Sequence, residues 1–372
     1  MSIKVAFGST VLDRSIRSGK HDGIAVYCEN VLSRLKPKCD CLTFNFLGAQ
    51  LEGGALGFPR FKESLILSTF TNSVENALIG EGCDLIHVPD HLIPFTRRKI
   101  PLISTIHDVI PLEHPEWVNS DAFRIKLKFF EYLLNRSSRI LTVSNYSKKR
   151  ISEVTGYPQN NIDVVYPGVT VSDNVSEQSA EKILNKYSLG VRNYFFVIGT
   201  LQPRKNTERV IQAFLESKSQ FNKNFKLVIV GRNGWGVERL VKYLSSNQAR
   251  DQSVIWLDYV SDIEKTVLLK YSRALLFVSL SEGFGLPILE AYKLGVPVLT
   301  SNVTSMPEVA GRGSLIIDPY SIEEICTAMR RLFYDKNTCQ ELVNLANLRV
   351  DDFSWDSTID GILESYRVAL SL

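Results

Sequence analysis

Short apolar runs alternate along the chain with longer segments in which apolar residues recur every three to four positions. Short runs bounded by turn residues predict buried strands, and the longer periodic segments predict helices. The predicted strands, in chain order, are Lys4–Gly8, Asp84–Val88, Ile100–Ile106, Arg139–Ser144, Ile162–Tyr166, Tyr194–Gly199, Phe225–Gly231, Val254–Leu257, Ala274–Val278, Val296–Thr300 and Leu315–Ile317. Strands that alternate with helices favour an α/β fold with parallel sheets.

The predicted helices follow most of these strands and carry an apolar stripe on one face. In chain order they are Ala25–Leu35, Asp121–Arg139, Asn145–Thr155, Thr207–Leu215, Ile288–Leu294, Ile322–Tyr334 and Trp355–Ala369. The segment Pro167–Ser179 shows little periodicity and is rich in Ser, Val and acidic residues. We place a domain boundary there, at residue 170, because a break in patterning with turn-forming residues is typical of a linker.

One βαβ unit carries the clearest chemical pattern. Its strand ends in a glycine-containing turn at residues 282–286, Pro287 suits the start of a helix, and Gly295 suits its end. In an open parallel sheet, ligands bind at the edge where the strands end. We therefore expect the amides of Phe284, Gly285 and Leu286 to bind an anion, above all a phosphate.

Two glutamates mark this unit, Glu282 in the turn and Glu290 inside the helix. Either one alone is typical of a solvated surface residue. Together, on both sides of a phosphate site, they are suited to accept hydrogen bonds from hydroxyl groups. A nucleotide sugar has this layout, with ribose, diphosphate and hexose in sequence, so the pair predicts such a ligand.

Two adjacent cations, Arg204 and Lys205, follow another predicted strand end. A charge pair this short is usually a solvated loop. Its place at the ligand edge of a parallel sheet changes that interpretation, because a planar guanidinium and a compact ammonium together suit a diphosphate.

The block E-G-F-G-L-P-x-x-E at residues 282–290, with P-E-V-A-G at residues 307–311, resembles the family-4 retaining glycosyltransferases. The resemblance extends over nearly the whole chain. It implies a GT-B fold, in which two Rossmann-like, doubly wound domains face an interdomain cleft. Residues 1–170 would form the acceptor-side domain, with the C-terminal helix 356–372 packing back on it, and residues 171–355 the donor-binding domain.

The same resemblance implies roles for several residues of the second domain. The segment G-T-L-x-P-R-K-N, which begins at Gly199, resembles the family's diphosphate-binding segment. Gly231 opens a segment similar to the family's V-G-x-x-G-W turn. The backbone at Tyr259 and Val260 would meet the nucleobase, and Glu290 would hold the ribose hydroxyls.

Two further roles fall in the first domain. The segment T-I-H-D-V-I-P-L resembles the one whose histidine faces the donor sugar, which implies that role for His107. The loop 18–24 resembles the family segment over the donor phosphates, and it would place Gly23 there in the first βα turn. This loop departs from the family because Ala25 stands where a second glycine is usual, and an ordinary tight loop is an equal alternative.

The implied reaction is transfer of a hexose from UDP-glucose or GDP-mannose to a glycan or lipid-linked hydroxyl acceptor, with retention of configuration. Transfer without a metal or other cofactor is expected, because no D-x-D sequence occurs and fixed cations can stabilise the leaving diphosphate. His107, Arg204, Lys205 and Glu282 are the expected catalytic residues. The alternatives are a non-catalytic GT-B-like protein that binds a nucleotide sugar, and a GT-B epimerase.

Composition argues against a nucleic-acid partner, a zinc or disulfide site and a membrane-spanning segment. A net charge of +3 over 372 residues is too small to indicate a nucleic-acid partner. The six cysteines include no C-x-x-C motif, which favours reduced thiols in the cytoplasm over a zinc site or disulfides. No apolar run approaches the roughly 20 residues that span a bilayer. The helix Asp121–Arg139 interleaves cations with apolar residues and is either a surface helix with a core face or a peripheral contact with the inner membrane face.

Overall fold

A computed structural model of the chain describes residues 2–18, 23–44, 80–90, 99–118, 120–171 and 175–371. The chain divides into two units. Unit 1 comprises Met1–Glu113, Ser120–Gly168 and Trp355–Leu372, and unit 2 comprises His114–Asn119 and Val169–Ser354. These divisions fall next to the expected boundaries at residues 170 and 355, and the short segment at 114–119 joins unit 2.

The described residues of unit 1 form one parallel sheet of six strands, in the order β2-β1-β3-β4-β5-β6. The strands are β1 (Lys4–Gly8), β2 (Asp40–Phe44), β3 (Leu85–Val88), β4 (Leu102–Thr105), β5 (Arg139–Thr142) and β6 (Ile162–Val164). The helices are α1 (Thr10–Ser18), α2 (Gly23–Leu35), α3 (Ile110–Glu113), α4 (Ser120–Arg136), α5 (Asn145–Thr155) and the C-terminal helix, which is numbered α15 (Trp355–Ser371).

The described residues of unit 2 form a second parallel sheet of six strands, in the order β12-β11-β10-β7-β8-β9. The strands are β7 (Tyr194–Ile198), β8 (Lys226–Val230), β9 (Val254–Leu257), β10 (Ala274–Phe277), β11 (Val298–Ser301) and β12 (Ser314–Ile317). The helices are α6 (Glu177–Lys186), α7 (Thr207–Ser217), α8 (Glu238–Leu244), α9 (Asn247–Asp251), α10 (Asp262–Lys270), α11 (Leu286–Lys293), α12 (Met306–Ala310), α13 (Ile322–Tyr334) and α14 (Lys336–Val350).

Four short 3₁₀ helices complete the described elements, at Pro115–Trp117, Gln159–Asn161, Pro203–Lys205 and Lys218–Gln220. The predicted α/β class with parallel sheets is confirmed in both units. Every predicted strand is present, and the observed ends differ from the predicted ones by at most two residues. Strand β2 at the edge of the sheet was not predicted, because most of its residues are exposed and it lacks the apolar run of a buried strand.

Helix α15 belongs to unit 1 and packs against its other elements. The rings of Trp355 and Tyr27 lie with their centroids 6.3 Å apart, and Thr358 donates a hydrogen bond of 2.7 Å to the carbonyl of Tyr166. The hydroxyl of Ser365 donates to Asp163, which Arg139 also binds through its guanidinium. The buried face of α15 therefore belongs to the core around β1 and α2.

Two predictions in unit 1 are wrong in detail. The loop before Gly23 does not form the first βα turn, because α1 comes between β1 and that loop, and residues 19–22 lie outside the described residues. The predicted helix Asp121–Arg139 ends at Arg136, and Arg139 instead begins β5, where its side chain pairs with Asp163. Arg136 donates to the carbonyl of Ile100. Two of the cations proposed to meet a membrane are thus bound within unit 1.

Strand order locates the ligand edge of unit 2. The chain runs from β7 outward through β8 to β9, and then returns to the other side of β7 with β10, β11 and β12. The order therefore reverses between β7 and β10, and crevices at such switch points bind ligands at the carboxyl ends of the strands. The segment with Arg204 and the turn with Glu282 follow these two strands.

Candidate active site

The turn after β10 is built around a glycine that no other residue replaces without strain. Gly285 has φ of +128°, outside the range of ordinary L-residues. A Cβ atom there would also lie 3.2 Å from Ile288. Helix α11 begins at the next residue, Leu286, with Pro287 in its first turn, two residues before the predicted start at Ile288.

Glu282 is the centre of a buried ion-pair cluster at this turn. Its Oε2 accepts a hydrogen bond of 2.7 Å from Arg204, and its Oε1 accepts from the ammonium of Lys205 and, at 2.8 Å, from the hydroxyl of Ser279. Burial alone would raise the pKa of Glu282, but the two cations and these hydrogen bonds lower it to about 2. The carboxylate is therefore ionised throughout the physiological pH range.

The segment after β7 is bonded directly to the loop after β10. The N–H of Leu280 donates a 2.7 Å hydrogen bond to the carbonyl of Arg204, and the Arg204 guanidinium donates to the carbonyl of Ser281. The Lys205 ammonium lies 5.1 Å from the ring centroid of Phe277. These contacts hold the two predicted phosphate-binding cations at the switch point of the sheet.

Glycines allow the loops after β7 and β8 to meet. A Cβ atom on Gly231 would lie 1.9 Å from the carbonyl oxygen of Gly199. This steric clash involves backbone atoms, so a side-chain rotation could not relieve it. Gly199 has φ of +138°, and a Cβ atom there would lie 3.2 Å from the side chain of Lys205. The structure thus explains both glycines by close packing of the loops, and their contact with a ligand stays a prediction.

Glu290 has a partner that sequence patterns did not reveal. Its Oε1 lies 2.9 Å from the Nζ of Lys265 on α10, and both side chains are largely shielded from solvent. Burial lowers the pKa of Lys265, but attraction to Glu290 outweighs it, so that the pKa is raised overall. No local motif links residues 25 positions apart on two helices, and only tertiary packing brings them together.

A second group missed by sequence analysis is a row of hydroxyls on β11 and the loop after it. The hydroxyl oxygen of Ser305, which is fully buried, lies 2.8 and 2.7 Å from the carbonyl oxygens of Glu282 and Phe284, and the two carbonyls share its single proton. Ser301 donates to the carbonyl of Ser279 at 2.7 Å, and Thr304 accepts from the N–H of Glu282.

The Ser305 hydroxyl orients two peptides of the turn. In a trans peptide the C=O of one residue and the N–H of the next point in opposite directions. Because Ser305 binds the carbonyls of Glu282 and Phe284, the N–H groups of Gly283 and Gly285 point away from Ser305. Of the three predicted phosphate-binding amides, Gly285 is the one whose direction this contact fixes.

The predicted nucleobase segment follows β9. Tyr259 is half exposed and Val260 is buried. The next residue, Ser261, begins α10 in a reciprocal capping arrangement with Glu264. Burial would raise the pKa of Glu264, but hydrogen bonds from Lys186, Ser261 and Tyr187 lower it to about 2, so the start of α10 is firmly anchored.

In unit 1, His107 follows β4 and is half-buried. Its Nε2 lies 2.9 Å from the carbonyl oxygen of Pro89, which can only accept, so Nε2 carries the proton. The ring of Tyr27 meets the imidazole edge-on at 4.9 Å. Gly23 is exposed at the first position of α2, and no described atom lies within 4 Å of a Cβ built there.

Family models match both halves of the chain. The model described as Glycosyltransferase Family 4 matches residues 22–173, and the model described as Glycosyl transferases group 1 matches residues 179–349. O-antigen chain mannosyltransferase B of Escherichia coli is 31% identical over 287 residues, which cover 76% of this chain and 74% of that protein.

The chain belongs to the family-4 and group 1 glycosyltransferases. The resemblance inferred from the E-G-F-G-L-P-x-x-E block is thereby confirmed. O-antigen chain mannosyltransferase RfbU of Salmonella typhimurium is 29% identical to this glycosyltransferase over 63% of the chain and 61% of that protein. The chain spans about a third of the serotype-specific mannosyltransferase WbdA of Escherichia coli, at 28% identity (35% of that protein).

Solved structures of glycosyltransferases share the GT-B fold of this chain. Anabaena HepE in complex with UDP-glucose matches with a TM-score of 0.70 at 18% identity, over 98% of this chain and all of that one (100%). Sucrose-phosphate synthase from Thermosynechococcus elongatus matches with a TM-score of 0.75 at 16% identity, over 99% of each chain. The predicted GT-B class is confirmed.

The described residues show neither a cluster of metal ligands nor a membrane-spanning helix. In the part of this glycosyltransferase that the structure describes, no group of three or more His, Cys, Asp or Glu residues could hold a metal ion. None of the described helices is both long enough and apolar enough to cross a bilayer.

Proposed function

We propose that this glycosyltransferase transfers mannose from a nucleoside diphosphate mannose, with GDP-mannose as the first candidate, to a hydroxyl of a growing glycan. The observation that carries the proposal is the cluster of Arg204, Lys205 and Glu282 at the switch point of unit 2, beside the N-terminus of α11. The mannosyltransferases named above support the choice of sugar. UDP-glucose is the second candidate donor.

Arg204 and Lys205 would stabilise the charge that develops on the diphosphate as the bond from the anomeric carbon to the phosphate oxygen breaks. Such fixed, pre-oriented donors act most strongly in a site shielded from water. The acceptor oxygen forms the new bond to the anomeric carbon, and its proton leaves with the nucleoside diphosphate. Glu282 binds both cations and would also accept hydrogen bonds from sugar hydroxyls.

We assign four further contacts to the donor. Glu290 would hold the ribose hydroxyls, the backbone at Tyr259 and Val260 would meet the base, and the amide of Gly285 would donate to a phosphate oxygen. His107 would contact the hexose. The Nε2–H of His107 donates to the carbonyl of Pro89, which would hold the imidazole ring in place for this contact.

The decisive experiment is incubation with a panel of nucleotide sugars and monitoring of nucleoside diphosphate release, with and without glycan acceptors. Acceptor-dependent release from GDP-mannose supports the proposal. Release from UDP-glucose alone would replace mannose by glucose. Binding without release indicates a non-catalytic protein, and formation of a new nucleotide sugar indicates an epimerase.

Retention of configuration and metal independence are proposed with the same mechanism. The cations at the switch point would take the role that a divalent ion has in other transferases. NMR of the product should show the anomeric configuration of the donor. Activity should survive EDTA, and loss with EDTA that magnesium or manganese restores would contradict metal independence.

We further propose a location at the cytoplasmic face of the membrane, where a lipid-linked acceptor would be reached. Sedimentation with vesicles of phosphatidylglycerol and phosphatidylcholine tests this proposal. Binding that falls as salt is raised would support it, because attraction of basic side chains to anionic headgroups is screened by salt. Absence of binding at low salt would contradict it.

A further inference from the structure

The contact between Lys265 and Glu290 joins two helices at the ligand edge of unit 2. The Lys265 Nζ lies 2.9 Å from the Glu290 Oε1, and the side chains are 27% and 18% exposed. Asp262, at 4.0 Å from the same Nζ, is 77% exposed and lies beyond hydrogen-bond distance. A charge-assisted hydrogen bond that is shielded in this way is stronger and less screened by salt than a surface ion pair.

Helix α10 presents Lys265 from a position that is fixed independently of Glu290. The first turn of α10 is held by the reciprocal hydrogen bonds of Ser261 and Glu264. Glu264 is bound in turn by Lys186 and Tyr187 from the end of α6. Because α10 is anchored at its start, Lys265 fixes the Glu290 carboxylate in place rather than following its movements.

We propose that Lys265 is a positioning residue for donor recognition, which holds the Glu290 carboxylate in the orientation that accepts both ribose hydroxyls of the nucleotide. The inference rests on the proposed function, which assigns the ribose to Glu290. Nothing in the sequence pattern or in the resemblance to the family assigned a role to Lys265.

Charge balance gives Lys265 a second effect on the same site. The site contains three cations, Arg204, Lys205 and Lys265, and two carboxylates, Glu282 and Glu290. Together these five groups carry one net positive charge. Without Lys265 this balance is zero, and Glu290 would be an uncompensated carboxylate close to an anionic diphosphate. The nucleotide should then bind more weakly.

Calorimetric titration of the full chain with UDP and GDP, and with their 2′,3′-dideoxy analogues, tests the inference. The wild-type protein should prefer the ribose form at least about tenfold, because the analogues lack both hydroxyls and one charge-assisted hydrogen bond alone accounts for about that factor. Lys265→Met should bind the ribose form about tenfold more weakly and lose most of this preference. Lys265→Arg, which keeps the charge, should retain the preference.

Lys38→Met is the matched control, because it removes another lysine–carboxylate ion pair, with Asp360 in unit 1, that has no part in the anchoring of α10 or in the proposed donor site. It should bind both nucleotide forms as the wild type does. In steady-state assays Lys265→Met should raise the KM for the donor and leave kcat nearly unchanged. A purely structural role would lower stability in both lysine variants and leave the ribose preference intact.

A double-mutant cycle with Glu290→Gln shows whether Lys265 acts through Glu290. In the Glu290→Gln background, Lys265→Met should change affinity by less than about twofold. Additive effects, or a Lys265→Met variant that behaves like the wild type, would overturn the inference alone. Failure of the wild type to bind nucleoside diphosphates, or an unchanged ribose preference in Glu290→Gln, would instead reject the proposed donor site on which the inference rests.

Discussion

The two units have parallel sheets of similar architecture, but their buried polar centres differ in charge. The centre in unit 2 is a cluster of ionised groups, and the centre in unit 1 is an uncharged hydrogen-bond network. In unit 2, Arg204, Lys205 and Glu282 form a cluster of full charges, and the pKa of Glu282 is lowered to about 2. In unit 1, the buried His87 lies between the hydroxyls of Tyr366 and Thr105, at 2.6 and 3.0 Å. Burial lowers the pKa of His87 to about 3, so this network is neutral at physiological pH.

This difference shows how one architecture supports two kinds of polar centre. A buried carboxylate stays ionised where cations from a neighbouring strand end reach it. A buried imidazole stays neutral where burial disfavours its charged form and its hydrogen-bond partners are hydroxyls. The charged centre suits an anionic diphosphate. The neutral network ties α15 to β3 and β4 and contributes to the stability of unit 1.

The largest effect is expected from removing a charge of the unit 2 cluster. Arg204→Met should lower kcat/KM for the donor by about 10²–10³-fold, because a fixed donor to the leaving diphosphate is lost. Steady-state kinetics with a nucleotide sugar measures this.

Arg273→Met is the control for that variant, since Arg273 lies at the opposite end of β10 and donates to the carbonyls of Leu332 and Phe333. It should lower stability and leave kcat/KM nearly unchanged. Equal losses of activity in the two variants would mean that Arg204 acts only through folding.

The next largest effect concerns the neutral centre of unit 1. His87→Gln should lower the free energy of unfolding by about 2–3 kcal/mol at pH 7, because Tyr366 and Thr105 lose a well-placed buried partner. Donor affinity should change little, since the proposed donor site lies in unit 2. Urea unfolding and nucleotide titration measure the two quantities.

The pH dependence of the same variant sharpens the comparison. The folded pKa of His87 lies below the ordinary value of 6.5, so only the unfolded chain takes up this proton between about pH 6.5 and 3. Wild-type stability should therefore fall on acidification in this window, with a contribution of up to ~1.4 kcal/mol per pH unit that His87→Gln lacks. The contribution of Glu282 to stability is lost only below pH 4.5, which is the ordinary pKa of a glutamate. Identical slopes between pH 6.5 and 4.5 would contradict a neutral His87.

A smaller effect is expected at the hydroxyl row beside the turn. Ser305→Ala leaves two buried carbonyls without their hydroxyl donor and should lower the free energy of unfolding by about 1–3 kcal/mol. It should also raise the donor KM, because the peptides of the turn lose their fixed orientation. Ser301→Ala removes a similar bond to Ser279 outside the turn. A rise in KM that is equal in both variants would show that the orientation of the turn is not what Ser305 controls.

The smallest effect is expected at Gly23. No described atom lies within 4 Å of a Cβ atom built there, so Gly23→Ala should change the free energy of unfolding by less than about 0.5 kcal/mol. At Gly231, by contrast, a Cβ atom would clash with the backbone of Gly199, so Gly231→Ala should be strongly destabilising. A raised donor KM in Gly23→Ala, at unchanged stability, would support the predicted role of Gly23 near the phosphates.

Sequence reasoning placed the main groups of the unit 2 cluster because they follow strand ends. Apolar runs such as Tyr194–Ile198 and Ala274–Phe277 are unambiguous, and the carboxyl ends of parallel strands share an edge. That rule brought Arg204 and Glu282 to one region before their contact was known. It did not reveal that Glu282 binds both cations directly.

The sequence by itself determined the α/β class, the position of nearly every strand and the family, because periodicity and the glycine-containing turn are local properties of the chain. Tertiary structure alone decided that Lys265 binds Glu290, that Ser305 orients the turn and that His87 is buried among hydroxyls. Each of these contacts joins elements distant in sequence, and their geometry depends on how helices and strands pack. Packing of this kind leaves no short-range pattern in the order of residues.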